Sequence, residues 1–209
     1  MPPPLTEARA PNGVAALDNA RSAAMMGADP GLLVWARHDA RLEAALIVAP
    51  DRPLSEALPL IFAPAIALSE VVAEVRSPDL CFEWPDRVLS AEHFCGTMMA
   101  AASTAEPEIV PDWLVVGLNV ALWPCGKGAK TLWPVPPERL TALKVLENWS
   151  TTLSAQVDHW HANGSAPLIA SFDRLIKRVP TGEPVRLAGD GALLRGDRLP
   201  PLALSCVLS

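Results

Sequence analysis

The sequence predicts an α+β fold, in which a sheet of short strands is flanked by helices. Two observations support this class. In the middle of the chain, apolar segments over residues 81–90, 94–100 and 113–121 end in polar turns, a pattern typical of strands with tight connections. Before and after them, stretches rich in Ala and Leu have the periodicity of helices that pack one face on a core. We therefore expect the strands to be neighbours in one sheet.

The composition fits one globular domain and excludes several classes of function. The chain has 209 residues, half of them apolar, and a net charge of −6. Its Lys and Arg residues are few and scattered, so we expect no nucleic-acid surface. The four Cys residues form no Cys-x-x-Cys pair and the first residues do not resemble a signal peptide, which favours a cytoplasmic protein. The apolar run from Leu54 to Val75 contains too many polar residues and prolines for a membrane span, so we expect no membrane partner.

The elements are assigned in chain order. The Pro-rich first 13 residues predict a mobile arm, and an Ala-rich helix then ends near Gly27. Two strands joined by only five residues predict a hairpin. A helix that Pro64 bends precedes the central strands, and a long amphipathic helix closed by Gly164 follows them. The predicted bounds are 14–26, 53–75 and 138–163 for the helices, 32–36 and 42–49 for the hairpin, 1–13 for the arm, 14–180 for the main domain and 181–209 for a short C-terminal hairpin or extension.

The central strands include a break that carries polar residues. Trp84-Pro85 interrupts the first of them, because proline fixes the backbone and removes a ladder hydrogen bond, so the strand must bend or end there. Asp86 and Arg87 follow directly. A flat apolar ring beside two opposite charges at a strand end is consistent with a ligand site, and equally with a Trp-filled corner that carries a surface ion pair.

Three motifs in order give a resemblance to a known family. They are Trp84-Pro85-Asp86-Arg87, His93-Phe94-Cys95-Gly96 and Gly117-Leu118-Asn119-Val120. They resemble the Trp-Pro-Asn-Asp, Lys-x-x-Gly and Gly-Ile-Asn-Val strands in the catalytic core of the biotin-protein ligase and lipoate-protein ligase family. The resemblance covers about residues 15–190. It implies a mixed, mostly antiparallel sheet flanked by helices, like the core that biotin-protein ligases share with class II aminoacyl-tRNA synthetases.

The resemblance also implies a chemistry, from which this sequence departs at two positions. Family members adenylate a carboxylic acid with ATP and pass the acyl group to a lysine of a carrier protein. The family's Gly-Arg loop is absent here, and only residues 37–41 stand in its place. Counting back from Gly96 puts His93 at the position of the family's lysine, whereas the turn is about one residue shorter and a shift by one gives Phe94. We expect His93 to be a packed, mostly neutral side chain.

The candidate site residues follow from these motifs. No catalytic residue is assigned, and the candidates are His93, Cys95 and Arg87. No metal site is expected, because His159 and His161 lie two apart on a helix and do not share a face. The residues expected to bind a ligand are Trp84, Asp86, Arg87, His93, Gly96, Asn119, Arg37 and Arg41.

Three functions remain open. The absence of the family's Gly-Arg loop and of its lysine favours a non-catalytic binding or assembly protein that keeps the ligase-like fold. The alternative is a divergent ATP-dependent ligase or acyltransferase for a small carboxylic acid and a carrier protein, with Arg37, Arg41 or Arg87 replacing the lost cations or Cys95 accepting the acyl group. A third is a structural subunit with an apolar interface. No cofactor is assigned, although ATP or an acyl-adenylate would suit the fold, and a homodimer is left open beside a monomer.

Overall fold

A seven-stranded sheet forms the centre of the protein. The computed structural model describes residues 5–75, 79–126, 128–138, 140–176, 185–195 and 208. The strands are β1 (Thr6–Arg9), β2 (Leu32–Trp35), β3 (Arg41–Val48), β4 (Leu80–Glu83), β5 (Arg87–Ser90), β6 (His93–Ala102) and β7 (Leu114–Ala121). Their order is β1-β2-β3-β7-β6-β5-β4, with β1 and β2 parallel and the other neighbours antiparallel. The predicted α+β class with a mixed, mostly antiparallel sheet is confirmed.

Helices cover both faces of the sheet. They are α1 (Ala16–Met25), α2 (Leu54–Ala57), a 3-10 helix (Leu58–Phe62), α3 (Ala63–Glu74), α4 (Ala142–Asn163) and α5 (Ala166–Asp173). One face of the sheet, which we call the α1 face, is covered by α1. Small side chains of α1 such as Ala20 pack there against Ala45 and Val115. The opposite face, here the α4 face, holds the main core, in which Trp149 and Trp160 of α4 are fully buried.

The first residues differ from the expected mobile arm. Residues 6–9 form β1, which pairs with β2 in parallel register. The amide of Ala10 also donates to the carbonyl of Trp35 at 2.8 Å, and Ala10 is buried. Thr6-Glu7-Ala8-Arg9 has no large apolar side chain, so the sequence gives little sign of a strand that is held by backbone hydrogen bonds at the sheet edge.

The apolar region before the central strands forms two helices, and the break between them lies before Pro64, where we expected a bend. We expected one helix over 53–75 bent at Pro64, but a 3-10 segment containing Pro59 separates α2 from α3. Pro64 instead lies in the first turn of α3, where the missing N–H costs little. The run Leu54–Glu74 has the length and hydropathy of a membrane span, and 78% of its most apolar window is buried inside the molecule, as in the core helix of a globular domain.

The Trp-Pro break is where the sequence placed it. Strand β4 ends at Glu83 and β5 begins at Arg87, so the segment predicted as 81–90 is two antiparallel strands. A second sheet of two antiparallel strands, β8 (Val185–Leu187) and β9 (Leu193–Arg195), lies in the region for which we predicted a short C-terminal hairpin or extension. The indole Nε1 of Trp84 donates to the carbonyl of Gly191 at 3.1 Å, which links this hairpin to the break.

Candidate functional site

A row of polar side chains crosses the α1 face of the sheet. The strand registers pair Arg87 with Thr97, Thr97 with Asn119, and Asn119 with Glu43. Glu83 of β4 lies opposite Arg87 and continues the row. Directly opposed residues of neighbouring strands share a face, so five strands contribute one side chain each to this polar row, which is defined as Glu83, Arg87, Thr97, Asn119 and Glu43.

Two arginines supply positive charge along the row. Arg41, two residues before Glu43 and therefore on the same face, donates from Nη1 to Oδ1 of Asn119 at 2.5 Å. The guanidinium of Arg87 pairs with Glu83 at 2.6 Å and lies 5.2 Å from the centre of the Phe94 ring. Strands β3 and β5 are three spacings apart, about 14 Å, so both long side chains can reach a ligand lying over Thr97 and Asn119.

The structure places Phe94, not His93, on the α1 face. Strands β5 and β6 are joined by a two-residue turn, Ala91-Glu92, with positive φ at both positions. The register then shifts, because Leu89 pairs with Phe94 while Val88 pairs with Gly96, which leaves Cys95 as the extra residue of a bulge. Phe94 consequently shares the face of Leu89 and Arg87.

His93 lies in a different cleft on the α4 face. It pairs with Ser90, whose hydroxyl donates to the carbonyl of Leu132 at 3.1 Å. The cleft, of about 500 Å³, is also lined by Lys130 and Thr131 and by no residue of the polar row. His93 is exposed, whereas we expected it to be packed, because the short turn and the bulge point it away from the row.

The bulge residue Cys95 is held in the core. Its thiol donates to the carbonyl of Val88 at 3.4 Å, and burial raises the pKa of Cys95 to about 12, with a smaller contribution from Cys81. A thiol with so high a pKa is protonated at neutral pH and is a weak nucleophile. This placement favours packing over acyl acceptance as the role of Cys95.

Gly96 is required by a close approach of backbones. A Cβ at this position would collide with the carbonyl oxygen of Asn119 and would lie 2.7 Å from the Cα of Val120. Glycine therefore lets β6 approach β7 beside Asn119. Gly96 thus serves the site by positioning Asn119, and no side chain larger than hydrogen fits without moving that strand.

The turn after the Trp-Pro break lies at the Glu83–Arg87 end of the row. Trp84 is partly buried against the main core and bonded to Gly191, so its indole serves packing there. Asp86 is half-buried, and burial raises its pKa, opposed by a hydrogen bond from its own amide and by the charge of Arg87. Asp86 and Arg87 follow Trp84 in this turn, and the ion pair of Arg87 is formed with Glu83 of the row.

A cavity of about 530 Å³ lies at the end of the β2–β3 hairpin. Apolar side chains of the hairpin, the segment after β7 and the first turns of α4 form its walls, and charged side chains of β1 and the hairpin form its rim. We call it the hairpin cavity. Its apolar walls include Trp35, Leu42, Trp123, Leu140, Leu143 and Leu146, and its charged and polar side chains are Arg9, Arg37, His38, Asp39, Arg41, Glu43 and Thr141.

Glu43 and His38 form a pair that the sequence did not reveal. Glu43 is 8% exposed, and its Oε1 accepts the amide hydrogen of Ala16 at the start of α1 at 2.9 Å. Its Oε2 lies 2.9 Å from Nε2 of His38, which is exposed in the hairpin cavity. The available signal was a Glu in an otherwise apolar strand, five residues after a His in a tight hairpin.

The predicted site residues therefore divide into groups. Arg37 and Arg41 line the hairpin cavity, and Arg41 also contacts Asn119 of the row. Arg87 lies at the other end of the row. Among the described residues, no cluster of three His, Cys, Asp or Glu side chains is arranged to hold a metal ion.

A ligase-like domain is defined by this sheet, its Trp-Pro turn and the polar row beneath α1. The model of the biotin/lipoate A/B protein ligase family matches residues 1–174, and the chain belongs to this family. A comparison with curated proteins finds no significant match.

Solved structures share the fold. A biotin protein ligase-like protein of unknown function from a Silicibacter species matches with 26% identity and a TM-score of 0.83, covering 100% of this chain and 98% of its own. The biotin protein ligase of Aquifex aeolicus matches with 14% identity and a TM-score of 0.69, over 95% and 93% of the two chains. That of Leishmania major in complex with biotinyl-5-AMP has 18% identity and a TM-score of 0.55, over 97% and 100% of the two chains.

Proposed function

We propose that the protein binds a small carboxylic acid, with the apolar body of the acid in the hairpin cavity and its carboxylate at Arg41. The observation that carries this proposal is the position of Arg41, which lines the cavity and also bonds Asn119 on the row. The walls of the cavity offer two indole rings and several aliphatic side chains to an apolar group. The rim carries three arginines against two carboxylates, so it favours an anion.

The donors of Arg41 are suited to a carboxylate. A guanidinium has five N–H donors, and the bond to Asn119 occupies Nη1. The remaining donors can hold a carboxylate in a charge-assisted hydrogen bond. Asn119 fixes the guanidinium in one orientation, so less side-chain entropy is lost when a ligand binds. The family name supports a carboxylic acid as the ligand class.

Thermal-shift measurements test this proposal. We expect octanoate, lipoate or biotin to raise the melting temperature, because a ligand of the folded state stabilises it by mass action. Octanamide, which keeps the chain but lacks the charge, should have less effect. Arg41→Gln should weaken carboxylate binding about 10- to 100-fold, the value of a hydrogen bond to a charged group. Arg21→Gln, an exposed arginine of α1, is the matched control. Equal binding of octanoate and octanamide, or no binding, would refute the proposal.

A second candidate is a divergent ATP-dependent ligase or acyltransferase, which the position of Arg87 favours. Its guanidinium lies beside Phe94, the residue that faces the row where the resemblance implies a lysine. Two arginines along one row can stabilise negative charge that develops between a carboxylate and a phosphate. Acid-dependent exchange of pyrophosphate into ATP measures adenylation directly. Exchange with octanoate or lipoate that Arg87→Gln abolishes would establish this function in place of simple binding.

A further inference from the structure

The pair of His38 and Glu43 has the geometry of a general base and its positioning group. The Glu43 carboxylate is buried, and both of its oxygens have partners, the Ala16 amide and the His38 ring. An ionised carboxylate accepts hydrogen bonds only, so the neutral imidazole that faces it carries its proton on Nε2. The other ring nitrogen, Nδ1, then presents a lone pair, and no hydrogen bond of Nδ1 is formed with the described residues.

The neighbours of this pair suit reactions at an acyl group. His38 and Arg41 line the same cavity, whose apolar walls can hold an acyl chain. The donors of Arg41 that Asn119 leaves free can contact a carbonyl oxygen on which negative charge develops. A base, a positioning carboxylate and a cationic donor therefore line one cavity, in which the proposed ligand would lie.

The nucleophile for such a reaction is water. Among the described residues that line the cavity there is no Ser or Cys, and the hydroxyl of Thr141 accepts the amide hydrogen of Lys144 at the start of α4 at 3.2 Å. With no Ser or Cys among these described residues to form an acyl ester or thioester, direct attack by water on a bound acyl group is the simpler course.

We infer that the hairpin cavity hydrolyses activated acyl groups, thioesters in particular, with His38 as the general base and Glu43 as its positioning residue. This inference rests on the proposed binding of an acyl chain in the cavity. The water oxygen attacks the carbonyl carbon and forms a C–O bond, while His38 Nδ1 takes a proton of the water. The C–S bond breaks, and the thiolate leaves with the electron pair and takes the proton from the imidazolium. The products are a carboxylic acid and a thiol.

The test uses the full chain and the thioester of octanoic acid with N-acetylcysteamine, with released octanoate measured by chromatography. We expect His38→Gln to lower kcat by about 100-fold or more, the contribution of a general base. Glu43→Gln should lower kcat by about tenfold or more with KM unchanged, because the tautomer is then free to change. His159→Gln, an exposed histidine of α4, should keep the wild-type rate.

The outcomes separate this inference from the proposed function. A wild-type rate equal to that of buffer, or equal rates for wild type and His38→Gln, would overturn the hydrolase inference. If octanoate still raises the melting temperature in that case, acid binding stands and only hydrolysis falls. If octanoate has no effect either, both fall. Because His38 lies on an exposed hairpin, His38→Gln is expected to fold, which the thermal shift of the variant verifies.

Discussion

Arg41 and Asn119 show how two residues that lie far apart in the sequence place a polar contact at the end of this sheet. Both lie near strand ends on the α1 face, and the hydrogen bond between them holds a guanidinium at the mouth of a cavity. Both residues were among those that the sequence led us to expect at a ligand site. The sequence did not indicate that they touch, since 78 residues separate them along the chain.

The close approach of β6 and β7 at Gly96 gives a prediction about the stability of the protein. Gly96→Ala should destabilise the protein by about 1–3 kcal/mol, since the added methyl group collides with backbone atoms of Asn119 and Val120 that cannot move independently of β7. Urea unfolding measures the change. Gly189→Ala is the matched control, because its Cβ would meet no atom within 4 Å and should be neutral or slightly stabilising. An equal effect of both substitutions would contradict the close approach.

Cysteine labelling tests the inert thiol in the bulge. In the folded protein, iodoacetamide at neutral pH should modify the exposed Cys125 and leave Cys95 unmodified, because burial and a pKa of about 12 keep Cys95 protonated and inaccessible. Mass spectrometry of peptides before and after unfolding in urea reads out both sites. Rapid labelling of native Cys95 would restore it as a candidate acyl acceptor.

At the scale of elements, the β5–β6 turn decides which residue faces the row. Counting from Gly96 gave His93 and a shift by one for the shorter turn gave Phe94, and a two-residue turn followed by a bulge puts Phe94 on the α1 face. A one-residue change of register reverses the face of a side chain. Positive φ at Ala91 and Glu92 has no signature in these residue types, which rarely adopt it, so the turn was not readable from the sequence.

The β4–β5 turn gives a prediction about pH. Burial raises the pKa of Asp86 above its ordinary value of 3.8, so the folded protein holds this proton at pH values where the unfolded chain has lost it. The contribution of Asp86 to stability therefore falls as the pH rises through the window between 3.8 and the raised value. Asp86→Asn should gain stability relative to wild type at pH 7 but not at pH 3.

Urea unfolding at the two pH values measures this difference. Asp29→Asn serves as the control, because Asp29 is an exposed carboxyl in the turn before β2. A gain for Asp86→Asn that is the same at pH 3 and pH 7 would show that the carboxyl is not destabilised by burial.

At the scale of the molecule, the sequence predicted the fold better than the site. Strong apolar periodicity defined the central strands and the long helix, and Trp84-Pro85 marked the break correctly. The edge strand β1 was missed because it contains no large apolar side chain. Backbone pairing with β2 holds it at the sheet edge. The polar row and the pair of His38 and Glu43 depend on strand register and on the N-terminus of α1, which no local pattern encodes.

At the same scale, we expect the protein to lack the activity of a standard biotin or lipoate ligase. With ATP, the purified protein should not biotinylate or lipoylate a standard carrier domain, because only residues 36–40 join β2 to β3 where the resemblance implies a Gly-Arg loop, and Phe94 faces the row where it implies a lysine. The A. aeolicus biotin protein ligase, which shares the fold, is the positive control. Transfer of label to the carrier above background would contradict this prediction. In that case Arg41→Gln and Arg87→Gln should abolish the transfer, since these two arginines are the cations that the polar row offers to an acyl phosphate.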